Sequence, residues 1–226
     1  QRHRRVRWIG KGKQDGKQEE QKPAMYPDAT RVPPEAKASG KTVKQLQALQ
    51  ELYEKQDMAG VIAKAEQVAA LPAAGAYEKS FAYSLAGNAA ADLDDQTKAA
   101  EYFGKAVEAN GLDNDSHYNT MFNQAVIRFG NEKYADSLAT MDRFLAETKS
   151  VDPKHAGFRA GILANLGRHD EAAVIYKDLV AKNPTDKRIL MNAVAALQGA
   201  DKFDQANVLL EDAYKRGMLS ESREPR

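Results

Sequence analysis

The 226-residue chain has no cysteine. That excludes a disulfide scaffold, a thiolate zinc site and a cysteine nucleophile. No apolar run approaches the ~18 residues that a membrane-spanning helix needs. Histidine is scarce: His3, His117, His155 and His169 stand far apart, and none sits at metal-ligand spacing from another histidine or a carboxylate set. Glycine-rich phosphate loops and nucleophile elbows are missing. The stretch LDNDS (112–116) has the acids of a calcium loop without its central glycine or closing glutamate. Acid pairs such as Asp94-Asp95 and Asp113/Asp115 read as turn and capping residues. The expectation is a protein that is not an enzyme, with no catalytic residues, no metal and no cofactor.

An excess of either charge is also missing, with 33 Lys+Arg against 32 Asp+Glu and a formal net charge of +1. The distribution is uneven, however. Residues 1–40 hold ten basic and five acidic groups, and six of the ten lie in the first thirteen residues. The remaining 23 basic and 27 acidic groups leave residues 41–226 at a net of −4. The first forty residues are also polar, and they contain Pro23, Pro27, Pro33 and Pro34. A segment so poor in apolar residues cannot recover its ordering entropy by burial. Residues 1–40 are therefore expected to form a basic, then Pro-containing, disordered lead-in, with Tyr26 and Val32 touching the body.

From residue 41 the apolar residues recur at three and four spacings, the helix period. About ten such segments follow one another, with no convincing alternating strand. Alternate segments align on a residue that is usually small, a second position four later that is usually bulky, and a third position three after that. The anchors are Val61, Ala99, Ser137, Ala172 and Ala206, at separations of 38, 38, 35 and 34 residues. Two helices of three to four turns with two short turns need about 34 residues. Neither helix of such a pair buries its face alone, so neighbouring pairs must stack. The aromatic residues Tyr83, Phe103, Phe129, Tyr134, Tyr176, Phe203 and Tyr214 fall at helix-packing spacings and are expected in the core.

The segment LGRHDEAAVIYKDLVAKNP (166–184) resembles the Leu-Gly, Ala, Tyr, Pro pattern of the tetratricopeptide repeat (TPR) family, and YSLAGNAA (83–90) carries its small central pair. The resemblance implies an all-α, right-handed superhelical solenoid of about five helix-turn-helix repeats. They would cover 42–72, 76–110, 115–150, 153–184 and 186–217 of an array spanning 41–217, with 218–226 as a tail. Val61 departs from the small anchor in the first repeat. The connection around GLDNDS (111–116) looks longer than the pattern. First helices are expected to begin near Val43, Ser80, Tyr118, Pro153 and Lys187.

In this family the first helices line a concave groove that binds a peptide or protein segment. The implied groove residues are Phe81, Ser84 and Asn88; Asn119, Phe122 and Asn123; Lys154 and Phe158; and Arg188 and Asn192. Asparagine can both donate to and accept from an extended backbone, and phenylalanine offers adaptable apolar contact. Some members clamp a terminal carboxylate. Asn88, Asn123 and Lys154 match three of the five clamp positions, while Ser84 and Phe158 depart from the expected lysine and arginine.

The resulting expectation is a protein-protein interaction scaffold with a protein or peptide partner, together with self-association at the C-terminal repeat, where Ala213, Tyr214 and Leu219 look uncovered. The alternative is a nucleic-acid or anionic-membrane adaptor acting through residues 2–13, where Trp8 beside Arg7 suits a membrane surface. The acidic body disfavours nucleic acid. The cysteine-free composition and polar lead-in look similar to envelope-associated repeat proteins of Gram-negative bacteria. With a first residue of Gln, they suggest a periplasmic or envelope location, with the cytoplasm as the alternative.

Overall fold

The computed structural model describes residues 22–219. Among these residues are ten α-helices and no strand. The helices are α1 (Val43–Glu54), α2 (Met58–Ala69), α3 (Ala76–Asp92), α4 (Gln96–Ala109), α5 (Asn114–Gly130), α6 (Tyr134–Thr148), α7 (Pro153–Asn165), α8 (His169–Lys182), α9 (Lys187–Gly199) and α10 (Phe203–Lys215). They follow one another as five helix pairs. The chain divides into two compact units. Unit 1 comprises the described residues to Asn131 together with Glu147–Lys149, and unit 2 comprises Glu132–Ala146 and the described residues from Ser150.

The anchors occupy the interior as their spacing requires. Val61, Ala99, Ser137 and Ala206 are fully buried, and Ala172 is nearly so. Seven residues after each anchor, Val68, Ala106, Phe144, Leu179 and Ala213 are buried as well. The small partners in the first helices let the pairs close. A methyl group at Gly87 of α3 would lie 2.5 Å from the Phe103 ring of α4.

Each pair is joined by the same tight turn. Gln56, Asp94, Glu132, Gly167 and Asp201 take positive φ of 61°, 59°, 60°, 76° and 59°. These five positions are 38, 38, 35 and 34 residues apart, the same series as the anchors. At four of them the next residue's amide returns to a carbonyl five residues back: Asp57 to Leu52, Asp95 to Ala90, Arg168 to Leu163 and Lys202 to Leu197. The amide of the positive-φ residue itself returns to the carbonyl three back, as Gln56 to Tyr53 and Asp94 to Ala91, and this double closure is the Schellman arrangement, which satisfies the last carbonyls of the helix.

The longer spacing in the second and third repeats comes chiefly from added helix, which corrects the expected long connection at GLDNDS. Helices α3 and α5 have 17 residues each, whereas α1 has 12 and α7 and α9 have 13. The difference is one extra turn. The two helices therefore begin four residues before the expected Ser80 and Tyr118, and the connection before α5 is only 110–113. Asp113 caps α5 by accepting from the Ser116 amide at 2.8 Å.

Unit 1 has a core built around Leu49, Val61, Ala65, Leu85, Ala86, Ala99 and Phe103, and Tyr83 packs against its edge. Unit 2 has a core of Ala173, Val180, Leu190, Ala193, Val194, Leu197, Ala206 and Ala213, with Tyr176 against it. Two of the expected core aromatics are exposed instead, Phe203 at 54% and Tyr214 at 71%, so Tyr214 follows the expectation that it is uncovered at the last repeat. At 100° per residue they sit about 60–80° round α10 from Ala206, off the line that enters the core. Ala213, expected to be uncovered, lies on that line and is fully buried.

Candidate functional site

The implied groove residues divide between the two units. On α3, Phe81, Ser84 and Asn88 are 9%, 2% and 8% exposed, so they are interior rather than surface groups. The reason is local. Small residues on the rest of α3 (Ala82, Ala86, Ala89, Ala90) bring its neighbours close on several sides. The Ser84 hydroxyl is also turned onto its own helix, donating to the Phe81 carbonyl at 2.9 Å. On α5, Asn119, Phe122 and Asn123 are half-buried along one side of the helix, followed by an exposed Val126.

The unit 2 candidates are more accessible. Lys154, Arg188 and Asn192 are exposed, Phe158 is half-buried and Met191 is 43% exposed. Helix α7 starts with Asp152 accepting from the Lys154 amide at 2.9 Å and Pro153 in the first turn, which fixes where Lys154 emerges. Four residues on from Lys154 is Phe158, flanked by Gly157 and Gly161. A Cβ at Gly161 would meet nothing within 4 Å, so the backbone there is bare. On α9, Asp186 caps by accepting from the Ile189 amide at 3.1 Å, and Arg188, Met191 and Asn192 follow at helical spacing. Each helix therefore offers a cation close to an apolar side chain. Of the three partial clamp matches, Asn88 and Asn123 belong to unit 1 and Lys154 to unit 2.

The described part of the lead-in, residues 22–40, expected to be disordered, instead attaches to the body, through Tyr26 as expected and also through Met25, Thr30, Arg31 and Ser39. Residues 22–42 are non-helical and run along unit 1. Tyr26 is 7% exposed, its ring edge-on to Tyr118 of α5 at 5.8 Å. Its hydroxyl donates to Asn119 Oδ1 at 3.1 Å, and the Asn119 amide reaches Met25 Sδ at 3.6 Å. The Met25 amide donates to Asp115 at 3.1 Å. Five residues beyond Tyr26, the Arg31 guanidinium spreads over the α4–α5 loop. Nε donates to Asn110 Oδ1 at 2.8 Å, Nη1 to Asn114 Oδ1 at 2.8 Å and Nη2 to the Leu112 carbonyl at 2.8 Å. Asn114 returns a bond from Nδ2 to the Arg31 carbonyl at 3.0 Å. The Thr30 amide donates to the Glu147 carbonyl at 2.8 Å. Burial pulls the Arg31 guanidinium below its ordinary pKa, opposed by Tyr118, Asp113 and Glu147. Val32, expected to touch the body, is 88% exposed. Farther along, Glu78 of α3 accepts from the Ser39 amide at 3.0 Å and the Thr42 hydroxyl at 2.8 Å.

The remaining polar clusters fit structural roles. His155 is buried with Nδ1 2.6 Å from Ser150 Oγ and its ring edge-on to Phe144. Burial lowers its pKa from the ordinary histidine value, against the attraction of Asp152. Among the described residues no group of three or more His, Cys, Asp or Glu side chains could hold a metal ion, and no helix is long and apolar enough to cross a membrane. The basic cluster of residues 2–13, named as a nucleic-acid or membrane arm, lies outside the described residues.

No protein-family model matches the chain. No curated protein sequence matches it either. Solved structures do. YrrB, a TPR protein with an unusual peptide-binding site, is 18% identical at a TM-score of 0.56, over 80% of this chain and 93% of that one. MamA from Desulfovibrio magneticus RS-1 is 13% identical at a TM-score of 0.57, over 81% and 100%. A putative kinesin light chain from Podosopora anserina with nearly identical TPR-like repeats is 13% identical at a TM-score of 0.59, over 82% and 98%. The chain has the tetratricopeptide-repeat fold.

Proposed function

We propose that the chain is a non-catalytic protein-interaction scaffold that takes an extended peptide or protein segment on its first helices. The carrying observation is the accessible face of α7 and α9, where exposed Lys154, Arg188 and Asn192 stand beside Phe158 and Met191. Two cations beside apolar side chains suit a segment with acidic and apolar residues, and Asn192 can bond its backbone in either direction. The α5 side chains Asn119, Phe122 and Asn123 offer a second such surface within unit 1. A cysteine-free chain has no thiol for an oxidising compartment to couple. The reading therefore includes a periplasmic or envelope location, which cell fractionation checks.

Affinity capture of natural partners by the full chain is the test, repeated with Lys154→Ala combined with Arg188→Ala. Recovery of the main partner is expected to fall about tenfold, the effect of ~1.4 kcal/mol lost from charged contacts. Equal recovery by both chains would remove the α7/α9 face from the site.

A further inference from the structure

The lead-in lies on unit 1 in the way a bound peptide lies on a receptor. One aromatic side chain is buried, one arginine is read by a fork of acceptors, and three backbone groups are paired, the Met25 amide with Asp115, the Thr30 amide with Glu147 and the Arg31 carbonyl with Asn114. The acceptors for Arg31 come from the α4–α5 loop and the first residue of α5, at Asn110, Leu112 and Asn114. Acceptors on Nε, Nη1 and Nη2 at once suit the fork of a guanidinium rather than an ammonium. Beyond Arg31, Val32 through Lys37 are exposed before the second attachment at Ser39. Releasing residues 25–31 breaks no helix, so this segment can open locally.

We propose that the N-terminal end of α5, with the α4–α5 loop and Glu147, is a receptor for an extended segment bearing a Tyr and an Arg five residues after it. Residues 25–31 fill it in cis until a partner protein's segment of the same pattern displaces them. The receptor is built from helix ends and loop groups. It shares only Asn119 with the α5 surface considered above, and its test uses the chain's own peptide, so it stands or fails apart from partner capture.

A short tether holds the cis segment at an effective concentration on the order of millimolar. A peptide added in trans to the wild-type chain must compete with that, and its apparent Kd is raised accordingly. The experiment titrates a fluorescein-labelled peptide of residues 22–35 into the full chain, read by anisotropy. The chain carrying Tyr26→Ala with Arg31→Ala should bind it saturably and at least tenfold more tightly than the wild type. Adding Asn114→Ala to that chain should abolish binding, as should replacing both Tyr and Arg in the peptide by Ala. No binding to the doubly substituted chain, or equal binding of the substituted peptide, overturns the proposal. Should the double substitution unfold the chain, excess peptide on the wild type gives an independent reading. Hydrogen exchange at the Thr30 amide must accelerate as the cis segment is displaced, and unchanged protection overturns the proposal. A wild-type dimer by light scattering that becomes monomeric on Tyr26→Ala with Arg31→Ala would assign the site to a second copy of this chain and overturn the assignment to a foreign segment.

Discussion

Glu78 shows how one side chain ties a non-helical segment to a helix. It is 3% exposed, and it accepts from the Ser39 amide and Thr42 hydroxyl through one oxygen and from the Gly75 amide, at 3.0 Å, through the other. Burial by itself would raise its pKa. The bonds from Ser39, Thr42, its own amide and Gly75 outweigh that and hold the carboxyl below the ordinary glutamate value. Because the folded pKa is depressed, the stabilisation is present above the unfolded value near ~4.3 and is lost as pH falls through the folded pKa. Glu78→Gln should lower stability at pH 7 by roughly 1–3 kcal/mol, since it leaves buried donors poorly paired. In thermal melts the gap between wild type and variant should close below pH ~4. An equal gap at pH 7 and pH 3 would contradict this account of Glu78.

At the scale of the element, the repeating left-handed residue is the feature that defines a helix pair. Only one of the five turns uses glycine, at Gly167. Gln56, Asp94, Glu132 and Asp201 hold the same conformation with a side chain. That conformation costs an ordinary residue about 1 kcal/mol or more. Asp94→Gly should therefore raise stability by roughly 0.5–1 kcal/mol, and Gly167→Ala should lower it by about 1 kcal/mol, both read from urea midpoints. The close approach at Gly87 makes a third case. Gly87→Ala puts a methyl against the Phe103 ring and should cost about 1–3 kcal/mol. Phe103→Leu should recover part of that loss in the double variant. The spacing of Ala99, Ala172 and Ala206 made the second helices legible in the sequence, because each must bury a small residue where two helices meet. The extra turns of α3 and α5 were not legible. The first turn of α5, Asn114–His117, carries no apolar stripe, that of α3 offers only Tyr77 in line with Phe81, and both starts are set by caps. Tyr26 was legible as a lone aromatic in a polar segment, but the Arg31 contact was hidden, because Arg31 acts singly on partners 79 to 83 residues away.

For the whole molecule, a repeat array transmits stability only between neighbours, so local stability follows local burial. Eleven of the 17 residues of α3 are buried, whereas α10 buries only Ala206 and Ala213 of 13. Between these extremes, α9 buries four of 13 and α8 four of 14. Opening α10 exposes little apolar surface and breaks few links beyond those to α9, while opening α3 exposes the centre of the unit 1 core. Native-state hydrogen exchange should therefore rank the amides of α3 and α4 as the most protected and those of α10 as the least, with α8 and α9 between them. Ala206→Gly should strengthen that order. It removes a buried methyl and adds backbone freedom in the element with least to hold it, at a cost of roughly 1 kcal/mol or more. The loss should appear as faster exchange throughout α10 and the facing part of α9, with α3 unchanged. Uniform loss of protection across all ten helices would instead show a single cooperative unit, and the nearest-neighbour account would fail.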